Sequence, residues 1–210
     1  MNHAPDEAST VMADVVFSLE DGTVGNDHVY ALSLAVRRAL PWFDDEPDAG
    51  ILPLSGLARG SDGMSFVGRR SRLVLRLPMR RVASADFLAG ARLDLDGATL
   101  TVGASSVRPL FPARGVVYSH FVSVGADDEV AFLERCASLL AERGLKPQLV
   151  TGKARELRTE EGVVRGFSLM LHGLGAADSL AAQEAGLGAH RALGCGLFIP
   201  HKSVAAVGGD

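Results

Sequence analysis

Three groups of residues in this chain are suited to chemistry by type and spacing. Near the C-terminus, Gly186-Leu187-Gly188 and Gly194-Cys195-Gly196 flank five residues that include His190 and Arg191, and the run continues through Phe198 to His201 and Lys202. Glycine lacks a Cβ, so the backbone can take positive φ and another backbone can approach closely. An exposed row of N–H groups there, flanked by Arg191 and Lys202, suits a phosphate chain. Gly186 or Gly188 would serve equally well as a helix C-cap before a tight turn. The second group is Arg69, Arg70, Arg72, Arg76, Arg80 and Arg81, six arginines in thirteen residues. On a strand, Arg72 and Arg76 share a face about 13 Å apart, near the span of two phosphates. Guanidinium groups fork onto phosphate and stack on bases, and no comparable acidic run lies nearby to pair with them. The third group is His28 with Tyr30 and Ser33. An imidazole in the first turn of a helix is held toward its neutral form by the helix dipole and can then accept a proton. It could equally be a capping or surface histidine beside Asp27.

Other chemistries lack their signatures. The six histidines show no metal-ligand spacing, and Cys136 and Cys195 sit in unlike contexts, so neither a metal site, a cofactor nor a disulfide framework is expected. No Gly-x-Ser-x-Gly elbow is present. His28 is followed by Val29-Tyr30 and His120 by Phe121-Val122, so paired His-x-Thr/Ser phosphoesterase motifs are absent too. The formal net charge of −4 means that phosphate binding must come from local patches rather than the global field. A polar, acidic N-terminus and the lack of a membrane-length apolar run lead to the expectation of a cytoplasmic protein without a membrane partner.

The elements that must position these residues follow from periodicity. Asp14–Leu19 reads as a buried strand, and Asn26 and Asp27 offer an N-cap to a helix that Pro41 stops near Leu40. On that helix Tyr30, Ser33 and Arg37 line the face left by the apolar residues. Ile51–Ser55 reads as a strand, and Gly56–Gly68 as a loop able to hide a hairpin. In Ser71–Pro78, Leu73, Leu75 and Leu77 point one way while Arg72, Val74 and Arg76 point the other, which predicts one buried and one open face. A helix over Ala83–Leu88 and a hairpin over Leu93–Val102, turned by Asp96-Gly97, complete the first series. Arg108–Pro112 breaks the pattern and reads as a linker between an N-terminal half, 1–107, and a C-terminal half, 113–210.

The second series starts with a strand over Val116–Val124. A helix opened by Asp127-Asp128-Glu129 and closed by Gly144 follows, with Cys136 in its buried stripe. Strands over Leu145–Val150 and Val163–Leu171 surround a charged turn at Glu156–Glu161, with His120 and His172 read as structural histidines within strands. A helix over Asp178–Ala185 and a closing strand over Leu197–Ile199 end it. The order strand, helix, strand, strand, helix, strand thus occurs twice. The expected fold is α+β, two ferredoxin-like (RRM-like, β-α-β-β-α-β) halves in tandem, with a C-terminal glycine-rich loop.

The paired Gly-hydrophobic-Gly triplets resemble the glycine-rich loop of the repeat-associated (RAMP) proteins of CRISPR systems. Asp27-His28-Val29-Tyr30-Ala31-Leu32, Arg69 to Pro78, Gly166-Phe167-Ser168-Leu169 and Gly186 to Lys202 together are similar to the repeat-RNA processing endoribonuclease of that superfamily, in its MYXAN-subtype form. The resemblance implies a metal-independent cut within each CRISPR repeat by ribose 2′-hydroxyl attack, leaving a 2′,3′-cyclic phosphate. It implies His28 as general base, and Tyr30 and Ser33 on the same helix could orient the scissile phosphate or simply cap its polar face. It also implies RNA contacts from Arg69, Arg70, Arg72, Arg76, Gly186, Gly188, His190, Arg191, Gly194, Gly196, His201 and Lys202. Precursor and mature guide RNA are the expected partners, with other subunits of a CRISPR effector complex as further candidates. The alternative is a non-catalytic RNA-binding RAMP subunit.

Overall fold

The structure is a computed structural model that describes residues 12–25, 27–60, 63–113 and 115–201. Lys202 and the capping candidate Asn26 lie outside the described residues. The first series runs β1 (Met12–Gly25), α1 (His28–Ala39), β2 (Gly50–Ile51), β3 (Ala58–Arg59), β4 (Met64–Phe66), β5 (Arg72–Pro78), α2 (Met79–Ala85), β6 (Arg92–Asp94) and β7 (Thr99–Pro109). The second runs β8 (Gly115–Val122), α3 (Glu129–Ala141), β9 (Gln148–Thr159), β10 (Gly162–Leu174), α4 (Ala176–Ala185) and β11 (Ile199–Pro200).

Pairing confirms the duplication. In the first half β5 and β7 flank β1, with Val15 opposite both Leu75 and Val107, while β2 extends the sheet beyond β5 and β6 beyond β7. In the second half the order is β11-β8-β10-β9. Taking β1, β2, β5 and β7 as strands one to four, both sheets read fourth, first, third, second. Every pairing is antiparallel, the arrangement that two ferredoxin-like halves require. Each half has its own apolar core. Phe17, Leu32, Val36, Leu73, Leu75 and Leu77 belong to the first, and Phe132, Cys136, Leu140, Leu169, Leu171 and Phe198 to the second.

Local chemistry explains several boundaries. Asp96 at φ 55 and Gly97 at φ 90 both take positive φ, as the two-residue turn between β6 and β7 demands. The Asp128 carboxylate accepts the Ala131 N–H at 2.9 Å and starts α3. The loop between β2 and β5 does hide a hairpin, β3 paired with β4. β7 runs through Pro109, so Arg108 and Pro109, read as the start of the linker, pair with Asp14 and Ala13. The charged turn expected over Glu156–Glu161 shrinks to Glu160-Glu161, since Glu156 to Thr159 pair with Arg165 to Gly162. This outer part of the β9–β10 hairpin extends past its core, so both faces are largely exposed and no apolar alternation marks it as strand. No helix among the described residues is long and apolar enough to cross a membrane.

Candidate active site

His28 occupies the first turn of α1, half-buried, with Nδ1 at 2.6 Å from the Gly25 carbonyl oxygen. A carbonyl can only accept, so Nδ1 carries the proton, and the neutral ring keeps its lone pair at Nε2. The contact also fixes the ring's orientation, as a general base needs. Tyr30, Ser33 and Arg37 follow at helical spacing and line a cleft of about 720 Å³. Its other walls are the segment Phe43–Ala49 after α1, the tip of the β9–β10 hairpin, the turn after β8 and the segment His190–Leu193. Arg37 pairs with Asp44. Ser33, read as part of an open polar face, is only 1% exposed, and its hydroxyl has no hydrogen-bond partner among the described residues. A second cavity, of about 420 Å³, takes Asp27 and Val29 from the same helical turn and shares Ala192 and Leu193 with the first. His28 stands in the chain between Asp27 and Val29 of the second cavity and two residues before Tyr30 of the first, and its own side chain lines neither.

The glycine-rich loop differs from the expected row of open amides. The N–H groups of Leu187, Ala189 and Gly196 donate to the carbonyls of Gly196, Ser123 and Phe121, and those of Leu193, Gly194 and Cys195 donate within the loop. Gly188 and Gly196 have φ 78 and φ 68, and a Cβ on either would overlap a carbonyl oxygen, that of Ser123 or of Leu187. The glycines let the loop press onto the end of β8, so their first role is backbone packing. His190 is exposed, in the left-handed region at φ 64, and faces the larger cleft. Arg191 turns inward: Nη1 and Nη2 donate to the Ala185 and Glu184 carbonyls, at 2.7 and 3.4 Å, and so cap the C-terminal end of α4. Burial pulls Arg191 down to about 10, opposed by Asp48 and reinforced by Arg76 and Arg143. It stays charged at neutral pH, with Nε buried and unpartnered among the described residues.

The arginine cluster divides. Arg69 and Arg70 are exposed. Arg72 is half-buried and donates from Nη1 to the Arg69 and Ser71 carbonyls at 2.8 and 2.7 Å. Arg76 corrects the expectation of an RNA-facing side chain. It is 1% exposed, paired with Asp14 and hydrogen-bonded to the Gln183 and Phe198 carbonyls. The second face of β5, expected to be open, lies at this point beneath the C-terminal half. Arg80 and Arg81 pair with the buried carboxylate of Glu46, at 2.7 and 3.1 Å, and Arg81 lies over the Trp42 ring.

His120, expected as a structural histidine, and Arg155, given no role by the sequence, both line the second cavity. His120 lies on the exposed side of β8, its ring edge-on to Tyr118 with centroids 4.9 Å apart. Tyr118 also meets the His201 ring at 5.5 Å. Partial burial of the His120 ring, then the charges of Arg155 and His201, holds it below the ordinary imidazole value. The available signal was alternation, since Tyr118 and His120 share a strand face opposite the buried Val117 and Ser119.

A family model described as Cas6 Crispr matches residues 13–203. The CRISPR-associated endonuclease Cas6 of Myxococcus xanthus (strain DK1622) is 36% identical over 202 residues, covering 94% of this chain and 85% of that protein. The solved structure of a CRISPR-associated protein Cas6 superposes with a TM-score of 0.66 at 12% identity, covering 91% of this chain and 99% of the other. That of a Cas6-related gene product from Pyrococcus furiosus does so with a TM-score of 0.61 at 11% identity, covering 90% and 97%. At these identities the structural likeness is one of fold.

Proposed function

We propose that this chain, which belongs to the Cas6 family of CRISPR proteins, is an endoribonuclease that binds CRISPR repeat RNA and cuts the precursor transcript within each repeat. The observation that carries the mechanism is the His28 ring, fixed through Nδ1 with Nε2 left to accept a proton. Nε2 removes the proton of a ribose 2′-hydroxyl, and the 2′-oxygen bonds to the adjacent phosphorus. The bond from phosphorus to the 5′-oxygen breaks, that oxygen takes a proton from water, and the hydroxide left behind takes the proton held on Nε2. The products are a 2′,3′-cyclic phosphate and a 5′-hydroxyl. Tyr30, on the cleft side of the same helix, donates its hydroxyl to a phosphate oxygen and orients it. Arg69, Arg70, His190 and His201, exposed on the surface, contact the RNA backbone. The reaction requires no metal ion and takes place in the cytoplasm.

The test is single-turnover cleavage of labelled repeat RNA in EDTA. Wild type cuts once per repeat. A 2′-deoxy ribose at the cut abolishes the reaction, and His28→Ala lowers the rate roughly 10²–10⁴-fold with affinity kept. Loss of wild-type activity in EDTA with rescue by magnesium would overturn the metal-free step. A normal rate in His28→Ala would remove His28 from it.

A further inference from the structure

The cavity of about 420 Å³ is walled by both halves and the glycine-rich loop. Val29, Ile51, Pro53 and Leu193 give it apolar sides, and Asp27, His120 and Arg155 give it a polar rim. We propose that this cavity is a pocket for one unstacked nucleobase of the RNA, belonging to a nucleotide beside the bond that is cut. The inference rests on the endoribonuclease reading above.

Size and wall chemistry select the ligand. A pocket of this volume lies within the range of small-molecule sites, which combine apolar walls with a few placed polar groups. It can hold one flat heterocycle but not a duplex, and RNA is read in sequence mainly where single-stranded bases splay out. The rim argues against a phosphate. Asp27 and Glu156 both line the cavity, and Glu156 is paired with Arg165 at 2.9 Å, so Arg155 stands against Asp27 and the rim carries no excess of positive charge. A base tolerates that balance, because its edge offers donors as well as acceptors.

The placed groups suit a base in detail. His120 is braced edge-on by Tyr118, and a neutral imidazole presents one donor and one acceptor to a base edge. The Arg155 guanidinium offers a plane for stacking. Gly194, at φ 78, brings the loop against Ile51, and a side chain there would crowd the Ile51 carbonyl oxygen at 3.1 Å. Since Asp27 and Val29 flank His28 in the chain, a base seated here carries its ribose to the turn that holds the general base. The pocket would thereby set which phosphodiester is cut.

The experiment uses the full chain and repeat RNA made uncleavable by a 2′-deoxy ribose at the cut. 2-Aminopurine replaces each base near the cut in turn, and its fluorescence is read on binding. One position should change intensity at least threefold with wild type. Ala154→Trp puts an indole on an exposed β9 residue that lines the cavity, and His120→Ala removes the imidazole. Both should abolish the response at that position only, and Ala154→Trp should leave the melting temperature unchanged. An abasic residue there should weaken wild-type binding about tenfold and Ala154→Trp binding not at all. Responses that survive both variants, or abasic and Ala154→Trp losses that multiply independently, would overturn the pocket, even if cleavage is normal. A position-specific, variant-sensitive response without any cleavage of ordinary repeat RNA would keep the pocket and reject the endoribonuclease reading.

Discussion

The guanidinium of Arg76 grips the carboxylate of Asp14 at two points, Nε to Oδ1 at 2.8 Å and Nη2 to Oδ2 at 3.1 Å. The two residues face each other across β1 and β5. The remaining nitrogen, Nη1, donates to the carbonyls of Gln183 in α4 and Phe198 just before β11. One buried side chain therefore ties the N-terminal sheet to the C-terminal half.

Arg76→Ala removes every one of these donors and leaves Asp14 half-buried without its partner. Breaking a buried ion pair from one side costs about 3–5 kcal/mol. Denaturant melts should show a loss of that order, and Arg76→Lys should restore only part of it, because an ammonium cannot fork onto the carboxylate. A variant as stable as wild type, with weaker RNA binding, would return Arg76 to the RNA surface.

Two glycines with positive φ separate conformation from close packing. Gly196 has φ 68 and would set a Cβ into the Leu187 carbonyl, whereas Gly125, at φ 73, has nothing within 4 Å of its Cβ position. Gly125→Ala should cost only the left-handed penalty of about 1 kcal/mol. Gly196→Ala should cost several times more, since it forces apart the loop that Leu187 and Gly196 close. Equal effects in thermal melts would show that the loop adjusts freely.

The cysteines should be inert in the native protein. Cys136 and Cys195 are both fully buried, and burial pushes each thiol up to about 12. A thiol-specific dye at pH 8 should label neither, and both should react in denaturant. Rapid native labelling of Cys195 would mean that the glycine-rich loop opens readily.

His120 should make the fold less tolerant of mild acid. Its folded value is lowered, so below about pH 6.5, the unfolded imidazole value, the unfolded chain binds the extra proton and stability falls as pH falls. Above that value the contribution is fully present. The difference in stability between wild type and His120→Asn should therefore shrink as the pH is lowered from 7.5 to 5.5. A constant difference would mean that neither partial burial nor the charges of Arg155 and His201 lower this ring.

Periodicity and turn chemistry determined much by themselves. The repeated strand-helix order, the Asp96-Gly97 turn, the Asp128 cap and the apolar face of Leu73, Leu75 and Leu77 are local, because backbone geometry and side-chain direction repeat over two to four residues. His28 at the head of α1 was legible in the same way, and so was the glycine-rich loop as a place where chains come close. What only the tertiary structure decided is which faces remain open. Arg76 lies on the face of β5 that alternation leaves polar, and it is buried by partners 107 and 122 residues away in the chain. Ser33 is buried beside the cleft, and His120 emerges on the exposed side of β8. A pattern records which residues share a face, but docking of a second sheet decides whether that face meets water. No short-range signal encodes that contact.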